Sequence, residues 1–502
     1  MKEKGEKLRS RRIAVGVAGL AIVIAAGLSL IVFTGQKREQ AQSQEGQAVN
    51  GSTQSQEGQA VNGSTQSQEG QAVNGPSQSQ GGQAVSEPTQ PQEKQEVILW
   101  AMRATPILKK CVENFNAGDN GYRVMIHECY SEEQNVSWED ALLRLQMVLS
   151  GRTPPDIVLV DPLDVNDLAE QGMLEDLAPY FAESGLVDQG DFLENVTASY
   201  TYDGKLIAFP RWIGIRTLWG NPGIVGDTPG WTLQEMLALA EKYPEFPVTG
   251  HFVRWEFLDC CMTFVPETFW LEPDGEAKEE LREILEQAAS YPTKFDQSRW
   301  NEECLQVSRG EALLTEQEVY KLEILLYLQE FAGEGGLIPI GYPTLDGSPR
   351  ALLSPVNGLY AIPVNASNKE GAWSFLELFF AGELDPRERD KTGPFYQVSG
   401  IPVCRQELEE EFQWELEDDL QRRLHRIDDM DEEQIAMIKE WLEELIAMSQ
   451  EYPSSARPLR SIILEEGEFY FEGVKTLDET LRVIENRGSL YLQENADDPR
   501  GQ

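Results

Sequence analysis

An apolar segment followed by a polar repeat fills the first hundred residues, so most of the folding must take place in the rest of the chain. Residues 13–34 are uncharged and largely apolar. As an α-helix they would extend about 33 Å, enough to cross the hydrocarbon core of a bilayer. Basic residues crowd positions 1–12, which predicts a cytoplasmic head and places the chain after residue 34 outside the cell.

The apolar segment 13–34 is predicted to be a transmembrane anchor, with a cleaved signal peptide as the alternative. It exceeds the roughly 7–15 apolar residues of a signal peptide, and its exit at Leu30–Gly35 lacks the small-residue spacing of a cleavage site. No cysteine stands near residue 35 to carry a lipid. The expected location is therefore the cell membrane, with a single span and an extracellular remainder.

Residues 35–95 are predicted to be a disordered linker. Within them, residues 42–89 contain four copies of a twelve-residue unit that first reads QSQEGQAVNGST. Each unit has one Ala-Val pair among polar and glycine residues, so it cannot bury enough apolar surface to offset the entropy of ordering. The repeats should act as a flexible tether and not as a stacked solenoid.

Composition restricts the partners of residues 96–502. The segment is long enough for two lobes, and the whole chain carries a net charge of −43, which argues against a nucleic acid partner. The cysteines form no C-x-x-C pair, so neither a zinc site nor any other metal site or cofactor is predicted, although an isolated disulfide stays open.

Apolar runs predict alternating strands and helices at the start of this segment. Strands are expected at Val97–Trp100, Tyr122–His127 and Ile157–Val160, with helices at Pro106–Phe115 and Ser137–Leu149 between them. This order indicates an α/β fold with a parallel sheet.

Later helix starts are predicted by capping boxes, in which a hydroxyl residue precedes a glutamate by three positions. The pairs begin at Thr232, Ser367 and Thr476.

Seven segments, in order along some 400 residues, resemble the extracellular solute-binding proteins of ABC importers, in the family-one group that includes maltose-binding protein. Single segments are weak evidence, but seven in the family's order are specific. They are VILW, SGRTPPDIVLVD, LAEQGMLEDLAPY, YDGKLIAFP, LWGNPGIVGDTPGWTLQEMLALAEKYP, VSRGEALL and GLYAIPVNASNKEGAWSFLELFF. Many relatives have a cysteine that carries a lipid, and this chain differs from them because no cysteine stands near residue 35.

The resemblance implies a periplasmic-binding-protein-like fold of two α/β lobes with a ligand cleft between them. The first lobe would use residues 96–208 and 309–345, and the second 209–308 and 346–494. The resemblance further implies a small-molecule ligand, for which the aromatic content favours a sugar, and ABC transporter permease subunits as partners.

Candidate ligand contacts follow from the strand ends and the expected lobe crossing. Ligands of open α/β sheets bind beyond the carboxyl ends of the strands, which nominates Arg103 after the first strand and Asp161 after the third. Arg211 and Trp212 lie near the expected crossing, where an indole can stack on a sugar ring and a guanidinium can donate to hydroxyls. Capping and core packing are the structural alternatives. Weaker candidates of the same kind are Arg254, Trp255, Asn357 and Tyr360.

Two other functions compete with transport. A glycoside hydrolase would need two carboxylates, but with 85 acidic residues such pairs arise by chance. No nucleophile or phosphate-binding motif stands out, so no catalytic residues are predicted. A tethered sensor that binds the same ligand and reports to a signalling partner is not distinguished from an importer component.

Overall fold

The computed structural model describes residues 94–131, 136–244, 246–250, 252–266, 269–270, 275–294, 306–307, 309–331, 336–386, 400–418, 427, 430–451 and 457–494. All of them belong to one compact unit, Lys94–Gln502. The predicted head and apolar segment, and the linker up to residue 93, lie outside the described residues. Within the described part of the chain, no helix is both long and apolar enough to cross a membrane.

The described residues contain eleven strands. In chain order they are β1 Gln95–Ala101, β2 Tyr122–Glu128, β3 Ile157–Leu159, β4 Thr201–Tyr202, β5 Lys205–Leu206, β6 Phe209–Gly220, β7 Leu314–Val319, β8 Ile338–Pro339, β9 Ala351–Ala361, β10 Ile401–Pro402 and β11 Ser449–Glu451.

The same residues contain fifteen α-helices. They are α1 Pro106–Ala117, α2 Trp138–Leu149, α3 Val165–Glu170, α4 Ala178–Glu183, α5 Glu194–Ser199, α6 Pro222–Val225, α7 Leu233–Lys242, α8 Arg254–Met262, α9 Glu276–Ala289, α10 Leu322–Phe331, α11 Lys369–Phe380, α12 Arg405–Glu417, α13 Glu432–Met448, α14 Arg457–Phe471 and α15 Leu477–Glu494.

The predicted strand and helix order at the start of the segment is present. Strand β1 pairs in parallel with both β2 and β3, and α1 and α2 connect them. Local chemistry explains the helix starts. Thr105 precedes Pro106, and its Oγ1 accepts the Leu108 N–H; Ser137 Oγ accepts the Asp140 N–H in the same way. These bonds satisfy donors that have no partner inside the helix.

One sheet joins most of the strands in the order β10-β6-β9-β3-β1-β2, with β7 and β8 on β6 and β11 on β9. Strand β9 is antiparallel to β3 and to β6. The long strands β6 and β9 therefore extend the first parallel sheet toward the rest of the molecule.

Two hydrophobic cores lie along this sheet. The first core takes residues from β1, β3, α1, α11 and α13, and the second core takes residues from α7, α8, α9, α14 and α15. This distribution differs from the predicted lobe boundaries, because α11 and α13 were placed in the second lobe. The physical reason is the β3–β9 pairing, which returns the chain to the first core at the end of β9, just before α11: Phe375 of α11 packs edge-on against Phe115 of α1, with ring centroids 5.3 Å apart.

The five described cysteines are free thiols, and four of them are buried. Burial raises the pKa of the Cys261 thiol, and burial with the neighbouring Cys261 raises that of Cys260. The disulfide left open by the sequence is not formed among these five residues.

Asp156, at the end of the P-P-D segment, ties β1, β3 and the start of α11 together. Its carboxylate accepts hydrogen bonds from the Ile98 N–H at 2.9 Å, the Ser367 hydroxyl at 3.1 Å and the Asn368 N–H at 2.8 Å. The side chain is 2% exposed. The Ser367 hydroxyl thus bonds Asp156, and the helix is capped by Asn368, whose side chain accepts the Gly371 N–H, not by Ser367 as the sequence predicted.

We expect Asp156→Ala to lower the free energy of unfolding by about 3 kcal/mol or more, because three donors in a poorly solvated site lose their acceptor. Urea denaturation of the full chain measures this. The matched control is Asp119→Ala in an exposed loop, which should change stability by less than about 0.5 kcal/mol. Equal effects of the two variants would contradict a bridging role for Asp156.

Candidate functional site

Strands β6, β7 and β9 separate the two cores. Along each strand, successive residues face the first core and the second core in turn. On β6, Ile213, Ile215 and Trp219 belong to the first core, whereas Leu218 belongs to the second. Strands β7 and β9 repeat this division. Because directly opposed residues of an antiparallel pair share a face, one face of the three strands is directed toward the second core.

Polar residues occupy the middle of this face. Arg216 is opposite Glu318, and Leu218 is opposite Glu316, while Ser354 of β9 is opposite Gly214. We call Arg216, Glu316, Glu318 and Ser354 the polar layer. All four are partly exposed, although the strands around them are buried. These ionisable and hydroxyl groups lie between two apolar cores, where a few polar groups can fix the orientation of a ligand.

Direct hydrogen bonds order the polar layer. The Ser354 hydroxyl donates to Glu318 Oε1 at 2.9 Å. This contact passes over Gly214, where a Cβ atom would lie 2.8 Å from the same oxygen. A side chain at Gly214 would therefore displace the carboxylate, which explains glycine in the middle of a buried strand.

Residues of the second core extend the polar layer. The Tyr342 hydroxyl donates to Glu316 Oε1, and Asp259 of α8 forms an ion pair with Arg460 of α14. Burial and the nearby charge of Arg216 lower the pKa of Arg460 to about 10. The guanidinium groups of Arg216 and Arg460 are therefore close enough to repel each other, and neighbouring carboxylates compensate their positive charge.

Tyr320 follows β7 at the position where strand alternation would place it beside Glu318. It is partly exposed. Burial, followed by the charges of Glu318 and Glu323, raises the pKa of its hydroxyl to about 12. Tyr320 therefore stays neutral near pH 7 and supplies an aromatic ring with a hydrogen-bonding tip beside the polar layer.

Asp161 lies just beyond the carboxyl end of β3, as predicted. Its Oδ1 accepts the Leu359 N–H of β9 at 3.3 Å. Desolvation raises the pKa of this carboxyl, and the Leu359 hydrogen bond opposes the shift. The side chain is nevertheless exposed to solvent.

Asn357 and Gly358 form an irregular step in β9 between Asp161 and the polar layer. Both have positive φ, +63° and +117°, a region that non-glycine residues rarely adopt. At Gly358 a Cβ would approach Leu159 Cδ2 to 2.6 Å. Strand geometry puts Ser354 and Asn357 about 10 Å apart, so Asp161 and the polar layer are separate candidates along β9.

Arg103 is exposed on the loop between β1 and α1. The Cys129 N–H donates to the Ala101 carbonyl at 3.0 Å and the Tyr130 N–H to the Met102 carbonyl at 2.9 Å. The Ala104 N–H donates to Glu128 Oε1 at 2.8 Å. These bonds hold the Arg103 loop against the end of β2. Arg103, Asp161 and Asn357 are thus candidates that the fold leaves accessible at one edge, and their contact with ligand stays a prediction.

Arg211 and Trp212 are instead buried, at 2% and 0% exposure. Arg211 lies at a break in the β6–β9 register. It donates to Asp385 at 2.9 Å, to Glu407 at 3.2 Å and to the Phe379 carbonyl at 2.6 Å. The prediction that these two side chains contact ligand conflicts with this burial, because the aromatic segment crosses inside the first core and not along its surface.

The remaining three candidates have structural surroundings. Tyr360 is buried in the first core, and its hydroxyl donates to the Asn357 carbonyl at 2.9 Å, which supports the step in β9. Arg254 donates to the Tyr291 carbonyl at 3.1 Å and lies over the Phe471 ring, so it joins segments of the second core. Trp255 is exposed on α8, and nothing in the described residues brings it to the polar layer.

Sequence reasoning missed the polar layer. Arg216 interrupts an apolar run, and Glu316 and Glu318 alternate along β7, which is a usable signal. Their meeting depends on strand pairing between segments a hundred residues apart. Among the described residues, no group of three or more His, Cys, Asp or Glu could hold a metal ion.

Comparisons with known proteins agree with this architecture. A family model described as bacterial extracellular solute-binding protein matches residues 111–384. No curated protein sequence matches the chain.

Many solved structures are similar to this chain, among them the following two. The sugar-binding protein MalE from Xanthomonas citri has 14% identity, with 80% of this chain and 98% of that chain covered and a TM-score of 0.51. A family 1 extracellular solute-binding protein from Alicyclobacillus acidocaldarius has 12% identity, with 81% and 100% covered and a TM-score of 0.47. The first likeness supports the two-lobed α/β fold.

We expect Arg211→Met to lower the free energy of unfolding by about 3–5 kcal/mol, because the buried Asp385 carboxylate would lose its ion pair with Arg211 at 2.9 Å. Chemical denaturation measures the change. The control is Lys278→Met, which breaks an exposed pair with Glu485 and should cost about 1 kcal/mol or less. Unchanged stability with lost ligand binding would instead make Arg211 a ligand contact.

Proposed function

Because the chain belongs to the family of bacterial extracellular solute-binding proteins, we propose that it captures a small neutral carbohydrate between its lobes and delivers it to an ABC transporter. The resemblance found in the sequence is confirmed by the family match. The family is one of binding proteins, and that this chain has no enzymatic activity stays a prediction.

The observation that carries the proposal is the polar layer between the two cores. Carboxylates at Glu316 and Glu318 accept hydrogen bonds, Arg216 donates them, and the Ser354 hydroxyl does both. A sugar presents many hydroxyls that each donate and accept, so such a mixed set of groups suits it. Tyr320 adds an aromatic ring of the kind that packs on the C–H face of a pyranose.

Charge favours a neutral ligand over an anion. Arg216 has carboxylates around it and Arg460 is paired with Asp259, so neither guanidinium is left without a counter-charge. Asp161 adds a further carboxylate beyond the end of β3, although Arg103 lies at the same edge. A phosphate or carboxylate ligand would be repelled by this surplus of negative charge. The structural neighbour from Xanthomonas citri is described as sugar-binding, which agrees with the proposal.

We further propose that residues 1–12 remain in the cytoplasm, that residues 13–34 anchor the chain in the membrane and that residues 35–95 tether the binding domain outside it. The support is the long uncharged run, the basic head and the absence of a cleavage pattern. About sixty flexible linker residues would give a root-mean-square reach of roughly 40 Å, so the domain could meet permease subunits in the same membrane.

Asp161→Asn is expected to weaken binding of the captured sugar about tenfold or more and to flatten its pH dependence. Ligand hydroxyls that donate to Asp161 favour its charged form, so wild-type affinity should be full above the carboxyl's raised pKa and fall as the pH drops through it. Ordinary aspartate titrates near 3.9, so the fall should begin at a higher pH. Calorimetric titration with a panel of mono- and oligosaccharides between pH 4 and 8 measures this.

The matched control is Asp119→Asn, in an exposed loop beside the amino ends of the strands, which should behave as wild type. Asp161→Asn should not destabilise the folded protein, since the amide oxygen can still accept the Leu359 N–H. If no sugar in the panel binds, the carbohydrate proposal fails. If a sugar binds with the same affinity and pH dependence in Asp161→Asn, only the role of Asp161 fails.

Deletion of residues 1–34 is expected to move the protein from the membrane fraction to the soluble fraction, because the remaining chain has no comparable apolar run. Fractionation and immunoblotting of cells with the full-length and shortened chains measure this. Intact-mass analysis of the full-length product provides the opposing test: a mature chain that begins between Gly35 and Gln42 would show that the apolar segment is a cleaved signal.

A further inference from the structure

Three parallel strands of the first lobe end at one edge of the sheet. Strands β1 and β2 end together, because Ala101 is opposite Glu128, and β3 pairs with the other side of β1. The segments that follow β1 and β3 carry Arg103 and Asp161, the accessible candidates described above. The segment after β2 must therefore lie at the same edge, which we call the first-lobe rim.

That segment carries two aromatic residues, Tyr130 and Trp138. Tyr130 is fixed by the hydrogen bond from its N–H to the Met102 carbonyl at 2.9 Å, and its side chain is nearly buried. Trp138 is the first residue of α2, with Ser137 as the helix cap. The ring centroids of Tyr130 and Trp138 are 5.8 Å apart, with planes inclined by 60°. The rigid rim thus supports the indole.

Trp138 is 42% exposed even though Tyr130 packs against it. The buried face of α2 is provided by Ala141, Leu145 and Leu149, so the indole is not the anchor of this helix. A large aromatic side chain that is held in place and faces solvent at the ligand edge of a sheet is suited to stacking on an apolar ring face.

The exposed apolar residues further along α2 belong to a different surface. Leu143 and Met147 are 58% and 74% exposed. At about 100° per residue they project roughly 140° and 180° away from Trp138, and Met147 lies about 13 Å farther along the helix axis. They offer a matched control, since they share the helix and the exposure but not the rim.

The strand order gives the sideways separation of β2, which precedes Trp138, from β9, which carries Ser354 of the polar layer. Strands β9, β3, β1 and β2 are neighbours, and each spacing is about 4.8 Å, so β9 and β2 are roughly 14 Å apart. One pyranose ring is about 5 Å across and two in a chain reach about 10 Å, so about three rings are needed to span three strand spacings.

We propose that Trp138 is a stacking platform for a terminal ring of an oligosaccharide whose other end lies on the polar layer. This inference rests on the proposed function, and it specifies that the ligand has at least three sugar rings. Tyr130 acts through Trp138 by holding the indole in place.

The test uses the full-length chain in detergent and four probes: glucose, maltose, mannobiose and maltotriose. Binding is measured by calorimetric titration of wild type, Trp138→Ala, Trp138→Phe and Met147→Ala. We expect maltotriose to bind most tightly, Trp138→Ala to weaken it at least tenfold, and Trp138→Phe to weaken it about threefold because a smaller ring keeps part of the stacking. Met147→Ala should bind as wild type does.

A stability effect is separated from a stacking effect by the probes themselves. Any binding of glucose should be insensitive to Trp138→Ala, since one ring on the polar layer does not reach the rim, whereas a misfolded variant would lose all probes equally. An unchanged affinity of the tightest probe in Trp138→Ala overturns the platform, with the carbohydrate proposal intact. If wild type binds none of the four probes, the carbohydrate proposal is contradicted and the platform is withdrawn with it.

Discussion

The antiparallel pairing of β6 with β9 is the constraint on which the rest of the structure depends. Its register runs from Phe209–Tyr360 to Arg216–Leu352, so one pair of strands passes from the first core to the boundary of the second. Both cores pack against β6 and β9. The polar layer exists only because these two strands present one face to each core. A change in register by one residue would exchange the faces and bury the charged groups among aliphatic side chains.

Much of the fold was predictable because its signals are local. The apolar runs of β1, β2 and β3, and the Thr232–Glu235 and Thr476–Glu479 capping boxes, can be read from a few neighbouring residues, and the structure contains all of them. The capping prediction at Ser367 was wrong for a non-local reason. The Ser367 hydroxyl donates instead to Asp156, which lies more than two hundred residues earlier in the chain. A local sequence pattern contains no information on so distant an acceptor.

The site was predictable only where topology alone determines the position. Asp161 follows from the rule that ligands lie beyond the carboxyl ends of strands, and the fold leaves it accessible there. Arg211 and Trp212 have the residue types of a sugar site, but the Arg211 guanidinium is surrounded by Asp385, Glu407 and the Phe379 carbonyl. The residue types therefore indicated what Arg211 and Trp212 could bind, but not whether their side chains face the ligand or the protein core.

The free thiols of this domain have a consequence for where it can work. None of the described cysteines forms a crosslink, so the stability of the described fold comes from packing, hydrogen bonds and ion pairs, and it does not require an oxidising environment. Burial raises the pKa of Cys129, Cys260 and Cys261, which keeps them protonated and unreactive toward oxidants. The described part of the protein should therefore hold the same shape in reducing surroundings and in air.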